Sequence, residues 1–262
     1  MNNWTSRGGG FLSSIPLIVK NLIIVNLLVF LATQVFEEPM YRYLSLYYPE
    51  SPFFMPHQLF THMFMHGSFF HLFFNMYALW IFGTPLEQSW GSKKFLTFYI
   101  ICGIGAALFY SLVQWIQMMG YESSMTAEML AQAKAAVNAP NFVENVTSLR
   151  MQNLRPTLSG IADDWLVTMI TPMVGASGAI FGVLLGFGML FPNAIIGLIF
   201  PPIRLRAKYF VMIYGALELY LSIQQPGDSV AHLAHVGGML FGFILIKFWQ
   251  WQQKKKQKQL WN

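Results

Sequence analysis

Six runs of predominantly apolar residues occur along the chain, and a more polar segment separates each run from the next. A helix needs about 20 mostly apolar residues to cross the hydrocarbon core of a bilayer. The pattern therefore predicts six membrane-spanning helices, numbered spans one to six in chain order. Their predicted bounds are 16–36, 69–87, 95–119, 172–191, 207–223 and 230–251.

Two of the segments between spans are long enough to form structure of their own. Residues 37–68 carry few charges and many aromatic rings, which prefer the boundary between lipid and water. We therefore expect this first loop to lie in the interface. Residues 120–165 mix charges with helix-favouring residues, which predicts one or two surface helices outside the bilayer. The rings of the first loop are Tyr41, Tyr43, Tyr47, Tyr48, Phe53 and Phe54.

Composition supports a membrane protein and excludes several other classes. Charged residues make up 10% of the chain and hydrophobic residues 55%, whereas a soluble globular protein has about 25% charged residues. Such a chain is not an ordinary soluble domain, a disordered protein or a nucleic-acid binder. The single cysteine, Cys102, excludes a disulfide framework and a cysteine-based zinc site. The fold class predicted is an all-α polytopic membrane protein.

The basic residues predict the orientation of the bundle. Cytoplasmic loops carry an excess of Lys and Arg, and 12 of the 16 basic residues fall on the side of the two termini. We therefore expect a multi-pass integral membrane protein with both termini in the cytoplasm. The sequence shows no transit peptide, so we expect a bacterial inner (plasma) membrane. The other side keeps Arg42, Lys134, Arg150 and Arg155.

A small set of polar residues lies inside the predicted spans, where polar groups are costly and indicate function. His71 and Asn75 are four residues apart in span two, so they share one face of the helix. Ser177 lies in the Gly-Ala-Ser-Gly stretch at the start of span four, and His235 lies early in span six. The alternating topology brings all four to a similar depth on the extracytoplasmic side.

Glycines predict which spans touch, because small residues four positions apart allow close helix contact in lipid. Span four carries Gly178, Gly182 and Gly186, and span six carries Gly238 and Gly242. At 100° per residue, His235 lies within about 60° of both glycines of span six, and His232 lies about 120° from Gly238. If span six packs on span four, His235 and Ser177 can meet.

A serine next to a neutral histidine is an activated nucleophile. We expect no carboxylate partner, because no Asp lies in a span and Glu87 and Glu218 are placed at another depth. The prediction is thus a Ser–His dyad, with His71, Asn75 and the amide of Ser177 as oxyanion donors. Each motif alone is more often explained by helix packing, and the combination on three spans carries the prediction.

Three other classes lack their expected signals. A transporter or channel would show paired intramembrane charges or inverted repeats, and we find neither. A metal enzyme of the His-Glu-x-x-His type lacks its motif, although His62 and His66 have a spacing that could chelate. An intramembrane aspartyl protease would need two intramembrane Asp residues. We therefore expect no metal and no cofactor.

Together these motifs resemble the rhomboid family of intramembrane serine proteases. The resemblance rests on the stretch 60–75, which ends in His-x-x-x-Asn, on the stretch 175–178, and on Ala-His-Val-Gly-Gly at 234–238. It implies a six-helix rhomboid bundle over residues 1–251, followed by a basic cytoplasmic tail at 252–262. It departs at His57 and Gln58, where some bacterial members carry Trp and Arg.

The resemblance also implies residue roles. Ser177 is the implied nucleophile and His235 the implied general base and acid, while His71 and Asn75 complete the oxyanion hole. The remaining supporting positions are Gly175, which opens the backbone near the serine, Phe181, which packs on the catalytic histidine, and Gly238 and Gly242, which hold span six against span four.

The implied activity is cleavage of a peptide bond in the transmembrane segment of another membrane protein. The substrate would enter laterally past span five, with residues 224–229 as a lid. The expected partners are transmembrane segments and the lipid bilayer, with no nucleic acid. The alternative is a rhomboid-like pseudoprotease that binds membrane helices without cutting them, although such members usually lack the Ser or the His.

Overall fold

A computed structural model describes residues 15–142, 160–197, 203–224 and 229–260. Each of the six predicted spans is helical. Span one is α1 (Leu17–Val35), and span two is α4 (Phe69–Ala78), a π-helical turn (Leu79–Gly83) and α5 (Thr84–Trp90). Spans three to six are α6 (Ser92–Ser124), α9 (Ser177–Leu190), α10 (Ala207–Gln224) and α11 (Ser229–Leu260).

Shorter elements connect the spans. The first loop contains α2 (Glu37–Leu44), α3 (Gln58–Thr61) and a 3₁₀ turn (His62–Phe64). The third loop, which connects spans three and four, contains two helices, α7 (Ala127–Val137) and α8 (Ile161–Ile170). Spans four and five are joined through an antiparallel hairpin that the sequence pattern did not predict, β1 (Ile195–Gly197) and β2 (Arg204–Arg206).

The protein is an all-α polytopic membrane protein. Within the described residues, spans one, two, three and six are each long and apolar enough to cross a membrane. Large apolar side chains are exposed along them, as at Phe70, Phe74 and Leu28. Water does not tolerate so many exposed apolar groups, so this surface faces lipid.

Span four is the central helix of the bundle and is too short to cross alone. Its 14 residues extend about 21 Å, whereas the hydrocarbon core is about 30 Å thick. Most of its residues are buried, since it packs against spans three, five and six. The surrounding helices therefore shield this short helix from lipid.

The predicted start of span four, at residue 172, is wrong, because the helix begins at Ser177. The preceding segment is non-helical and pairs with the first loop. Leu46 and Met173 exchange two backbone hydrogen bonds of 3.0 and 2.7 Å, and the Gly175 N–H donates to the carbonyl of His62 at 2.9 Å. Non-helical backbone at membrane depth is tolerated only where its polar groups are satisfied, and the first loop satisfies them.

Glu87 joins spans one and two. Its carboxylate accepts the backbone N–H groups of Ile18 and Val19 at 2.9 and 2.8 Å and the hydroxyl of Ser92 at 2.6 Å. The first N–H groups of a helix have no partner within the helix, so this buried carboxylate caps α1.

The first and third loops form a second apolar core outside the bundle. Tyr47, Tyr48 and Phe53 are buried against residues of the third loop that include Trp165 and Phe142. The expectation that the first loop places its rings in the interface is therefore wrong for these three. Span six shows no break at residue 251, since its helix continues to Leu260.

Candidate active site

Ser177 and His71 meet around a glycine with an unusual backbone. Gly175 has φ +127°, in the region that only glycine adopts without strain. A Cβ atom at this glycine would lie 2.9 Å from Cε1 and Nε2 of His71 and 3.6 Å from Oγ of Ser177. The imidazole of span two and the hydroxyl of span four therefore lie on the same side of this glycine.

Ser177 occupies the first position of span four. The first N–H groups of a helix point out of its end without intrahelical partners and carry partial positive charge. The amide of Ser177 is therefore available to a developing negative charge next to its own hydroxyl.

Asn75 lies one turn after His71 on the same helix. Its side-chain amide donates one hydrogen bond to the carbonyl of His71 at 2.8 Å, which leaves a second N–H for another acceptor. The ring of His66 contacts the ring of His71 edge to face, with centroids 5.0 Å apart. The predicted oxyanion residues are thus held by their own helix and by the first loop.

The imidazole of His235 is fixed on one face by an aromatic ring. Phe181 stacks on it with centroids 3.9 Å apart and an interplanar angle of 7°. Phe181 lies four residues after Ser177, so both side chains project from the same face of span four. This is the contact that the sequence resemblance implied for Phe181.

Spans four and six cross in backbone contact at their glycines. A Cβ at Gly238 would overlap the carbonyl oxygen of Gly178, and a Cβ at Gly242 would lie 3.3 Å from the Cα of Gly182. A Cβ at Gly178 would lie 3.4 Å from the carbonyl oxygen of Ala234. Because Ser177 precedes Gly178 and His235 follows Ala234, both residues adjoin this crossing.

The expectation that no carboxylate reaches the site is wrong. Oε2 of Glu218 lies 2.9 Å from Nδ1 of His235 and 2.6 Å from Nδ1 of His232. Glu218 is six residues before the end of span five, and His235 is six residues after the start of span six. At 1.5 Å per residue, Glu218 is about 9 Å from the C-terminal end of span five, and His235 is about 9 Å from the N-terminal end of span six. Counting from those ends places Glu218 at the depth of His235.

The same three residues have the donor set of a metal site. One ligand atom from each of Glu218, His232 and His235 lies within 4.8 Å of the others. Imidazole nitrogens and a carboxylate oxygen suit zinc and several other divalent ions. The hydrogen-bond distances describe the cluster equally well without an ion, and treatment with a chelator distinguishes the two cases.

Gln58 is a second residue whose importance the sequence did not reveal. It is fully buried, and its amide nitrogen donates to the carbonyls of Arg42 and Phe53 at 3.1 and 2.9 Å. Its amide oxygen accepts the N–H groups of Met55 and Tyr47 at 3.1 and 3.4 Å. Gln58 therefore ties the first loop together at the position where some bacterial members carry Arg.

Two histidines of the first loop lie next to the site. His62 is buried and its Nδ1 lies 2.9 Å from the carbonyl of Gln58, while His66 has no partner for its ring nitrogens among the described residues. Burial lowers the pKa of His62 and of His66 from 6.5 to about 4. Both rings are therefore neutral at physiological pH.

Ser177, His71 and His235 are each partly exposed, and 14% of the His235 side chain is exposed. This accessibility suits a reactive site better than a packing contact. Most of the segment expected to act as a lid, 225–228, lies outside the described residues.

Comparison with known proteins identifies the domain. A family model described as Rhomboid domain matches residues 54–251. The chain is 28% identical to Rhomboid protease AarA of Providencia stuartii over 185 residues, which are 70% of this chain and 52% of that protein. It is 29% identical to Rhomboid protein 1, mitochondrial, of Saccharomyces cerevisiae over 196 residues, 75% of this chain and 42% of that protein.

A third relative extends the match over most of the chain. The human Presenilin-associated rhomboid-like protein, mitochondrial, is 24% identical over 255 residues, which are 93% of this chain and 52% of that protein. The chain thus spans about half the length of these curated relatives. The relatives come from a bacterium and from mitochondria.

Proposed function

Because the chain belongs to the rhomboid family, we propose that it is an intramembrane serine endopeptidase that cleaves transmembrane segments of membrane proteins. The observation that carries this proposal is the grouping of Ser177, His71 and the stacked imidazole of His235 where spans four and six cross. One relative is named a protease, which supports the same activity here.

In the proposed reaction, the Ser177 hydroxyl attacks the carbonyl carbon of the scissile peptide bond. His235 accepts the hydroxyl proton and returns it to the leaving amine, which frees one product and leaves an acyl ester on the serine. Water, activated by the same imidazole, then hydrolyses the ester. The amide of Ser177 and the side chains of His71 and Asn75 stabilise the negative oxygen of each tetrahedral intermediate.

The proposed substrate is a transmembrane helix that enters from the lipid past span five and unwinds at the site. Residues 1–251 form the membrane domain in this proposal, and 252–262 form a basic cytoplasmic tail. We place both termini in the cytoplasm of a bacterium, with the protein in the inner membrane. The reaction needs no cofactor and no nucleic acid.

A fluorescent fluorophosphonate tests the proposal without a known substrate, because it reacts only with an activated serine. We expect the purified protein in detergent to be labelled, and Ser177→Ala and His235→Ala to lose labelling. General-base assistance typically contributes about 10²–10⁴-fold to a rate. Absence of labelling in a well-folded wild type would instead support a pseudoprotease that binds membrane helices without cutting them.

Two further variants separate the proposed roles. His232→Ala removes a histidine from the same helix, and a loss as large as that of His235→Ala would contradict the choice of base. Asn75→Ala should slow turnover only partly, since the oxyanion keeps other donors. Melting curves of all variants establish that each is folded.

A further inference from the structure

The proposed mechanism leaves Glu218 without a role, although it is the carboxylate nearest to His235 in the described residues. It lies in span five, a membrane helix, and only 7% of its side chain is exposed. A charge within a membrane span is costly and persists where partners compensate it. The two imidazoles of span six supply these partners.

The contacts of Glu218 determine which ring nitrogen of His235 carries the proton. An ionised carboxylate can only accept hydrogen bonds. Nδ1 of His235, 2.9 Å from Oε2, must therefore be the protonated nitrogen, and Nε2 keeps its lone pair. A general base needs that lone pair on the ring edge away from the carboxylate.

His232 fixes the carboxylate itself. Its Nδ1 donates to the same oxygen at 2.6 Å, from a position one turn before His235. One oxygen thus receives two N–H donors from one helix, which restricts the rotation of the Glu218 side chain. The carboxylate then holds the edge of the His235 ring while Phe181 holds its face.

From this geometry we propose that Glu218 is a positioning residue for the catalytic imidazole, and that His232 orients Glu218. The proposal rests on the proposed function and deepens it. It replaces a Ser–His dyad by a Ser177–His235–Glu218 triad, whose members lie on spans four, six and five. The carboxylate stabilises the imidazolium that forms when His235 takes the serine proton, and it does not itself take that proton.

Two substitutions separate charge from hydrogen bonding. Glu218→Gln keeps a carbonyl oxygen that can accept from Nδ1 but removes the charge, whereas Glu218→Leu removes both. We expect the maximal rate of fluorophosphonate labelling to fall about tenfold in the first and about a hundredfold in the second, the latter at the lower end of the usual range for general-base assistance. The reagent concentration at half-maximal rate should change little, since neither variant alters the binding surface.

Glu128→Gln, at an exposed glutamate of α7, is the matched control and should label as the wild type does.

A labelling rate within twofold of the wild type in folded Glu218→Leu would overturn the proposal while leaving the proposed protease intact. If chelation of the wild type abolishes labelling and added Zn²⁺ restores it, the cluster is a metal centre and the proposal also fails. If the leucine variant does not fold, the labelling rate of Glu218→Gln tests the proposal instead, because glutamine has the same shape as glutamate.

Nitrogen NMR of protein labelled in its histidine rings tests the proposal independently of activity. We expect His235 to carry its proton on Nδ1 in the wild type and to populate the Nε2-protonated form in Glu218→Leu. An unchanged tautomer in the variant would contradict the positioning role, even if the wild type proved to lack activity.

Discussion

At the scale of single residues, the site depends on the backbone of Gly175. Its φ of +127° turns the chain from the segment held by the first loop into the first turn of span four. The missing side chain leaves room for the imidazole of His71 and the hydroxyl of Ser177. One residue thus provides both the turn and the space in which two functional groups meet.

Gly175→Ala should impair the site more than it impairs the fold. The strained φ costs about 1–3 kcal/mol, and the new Cβ would lie 2.9 Å from the His71 ring, which must shift away from the serine. We expect fluorophosphonate labelling to fall at least tenfold and the melting temperature to fall modestly. Gly67→Ala is the control, because a Cβ there meets only Tyr41 at 3.7 Å. Equal labelling of both variants would show that the Gly175 backbone is dispensable.

At the scale of secondary structure, the contact between spans four and six brings Ser177 and His235 to the same helix crossing. At the glycine crossing the backbones of the two helices are in direct contact, so close packing holds them together. Span four is short and central, and its position follows from the helices around it. Any change that separates these two helices moves Ser177 away from His235.

Gly238→Ala tests this contact. The added methyl group overlaps the carbonyl oxygen of Gly178, and inserting a methyl into a packed contact costs about 1–3 kcal/mol. We expect a lower melting temperature together with a loss of labelling. Gly120→Ala is the matched control, since a Cβ at this helical glycine meets nothing within 4 Å. It should leave labelling unchanged and raise stability slightly, because Ala favours a helix by about 1 kcal/mol over Gly.

At the scale of the whole molecule, two apolar cores hold the elements that form the site. The bundle core supplies the helices that carry the functional side chains, and the core shared by the first and third loops holds the first loop in place. The first loop in turn bonds to the segment that leads into Ser177. Stability of the first loop is therefore coupled to the placement of Ser177.

The buried His62 of the first loop makes the stability of the folded protein sensitive to acid. Burial lowers the pKa of His62 to about 4 in the folded protein, whereas the unfolded value is about 6.5. Between these values the unfolded chain binds more protons, so stability is full above about pH 6.5 and declines as the pH falls towards about 4. We expect the melting temperature in detergent to fall over this interval. The decline should be smaller in His62→Gln, which can still donate to the carbonyl of Gln58, and an equal decline in both would contradict the assignment to His62.

The sequence predicts the structure well where the physical signal is local. A bilayer requires about 20 apolar residues for each crossing helix, so the number and order of the spans follow from composition along the chain. The motifs around His71, Ser177 and His235 could likewise be recognised in the sequence, because polar residues and glycines are conspicuous within apolar segments. The helical repeat also distinguished His235 from His232 as the residue nearer to the glycine face.

Features that the sequence did not predict depend on contacts between segments that are distant in sequence. The start of span four at Ser177 depends on hydrogen bonds to Leu46 and His62, which no local pattern encodes. The carboxylate contact of His235 comes from Glu218 on another helix, and it depends on how spans five and six rotate and pack. The sequence by itself predicted a six-helix membrane bundle that carries a serine and two histidines on three of its spans. Only the tertiary structure decided which groups touch, because rotation and packing of helices are set by their neighbours rather than by their own hydrophobic pattern.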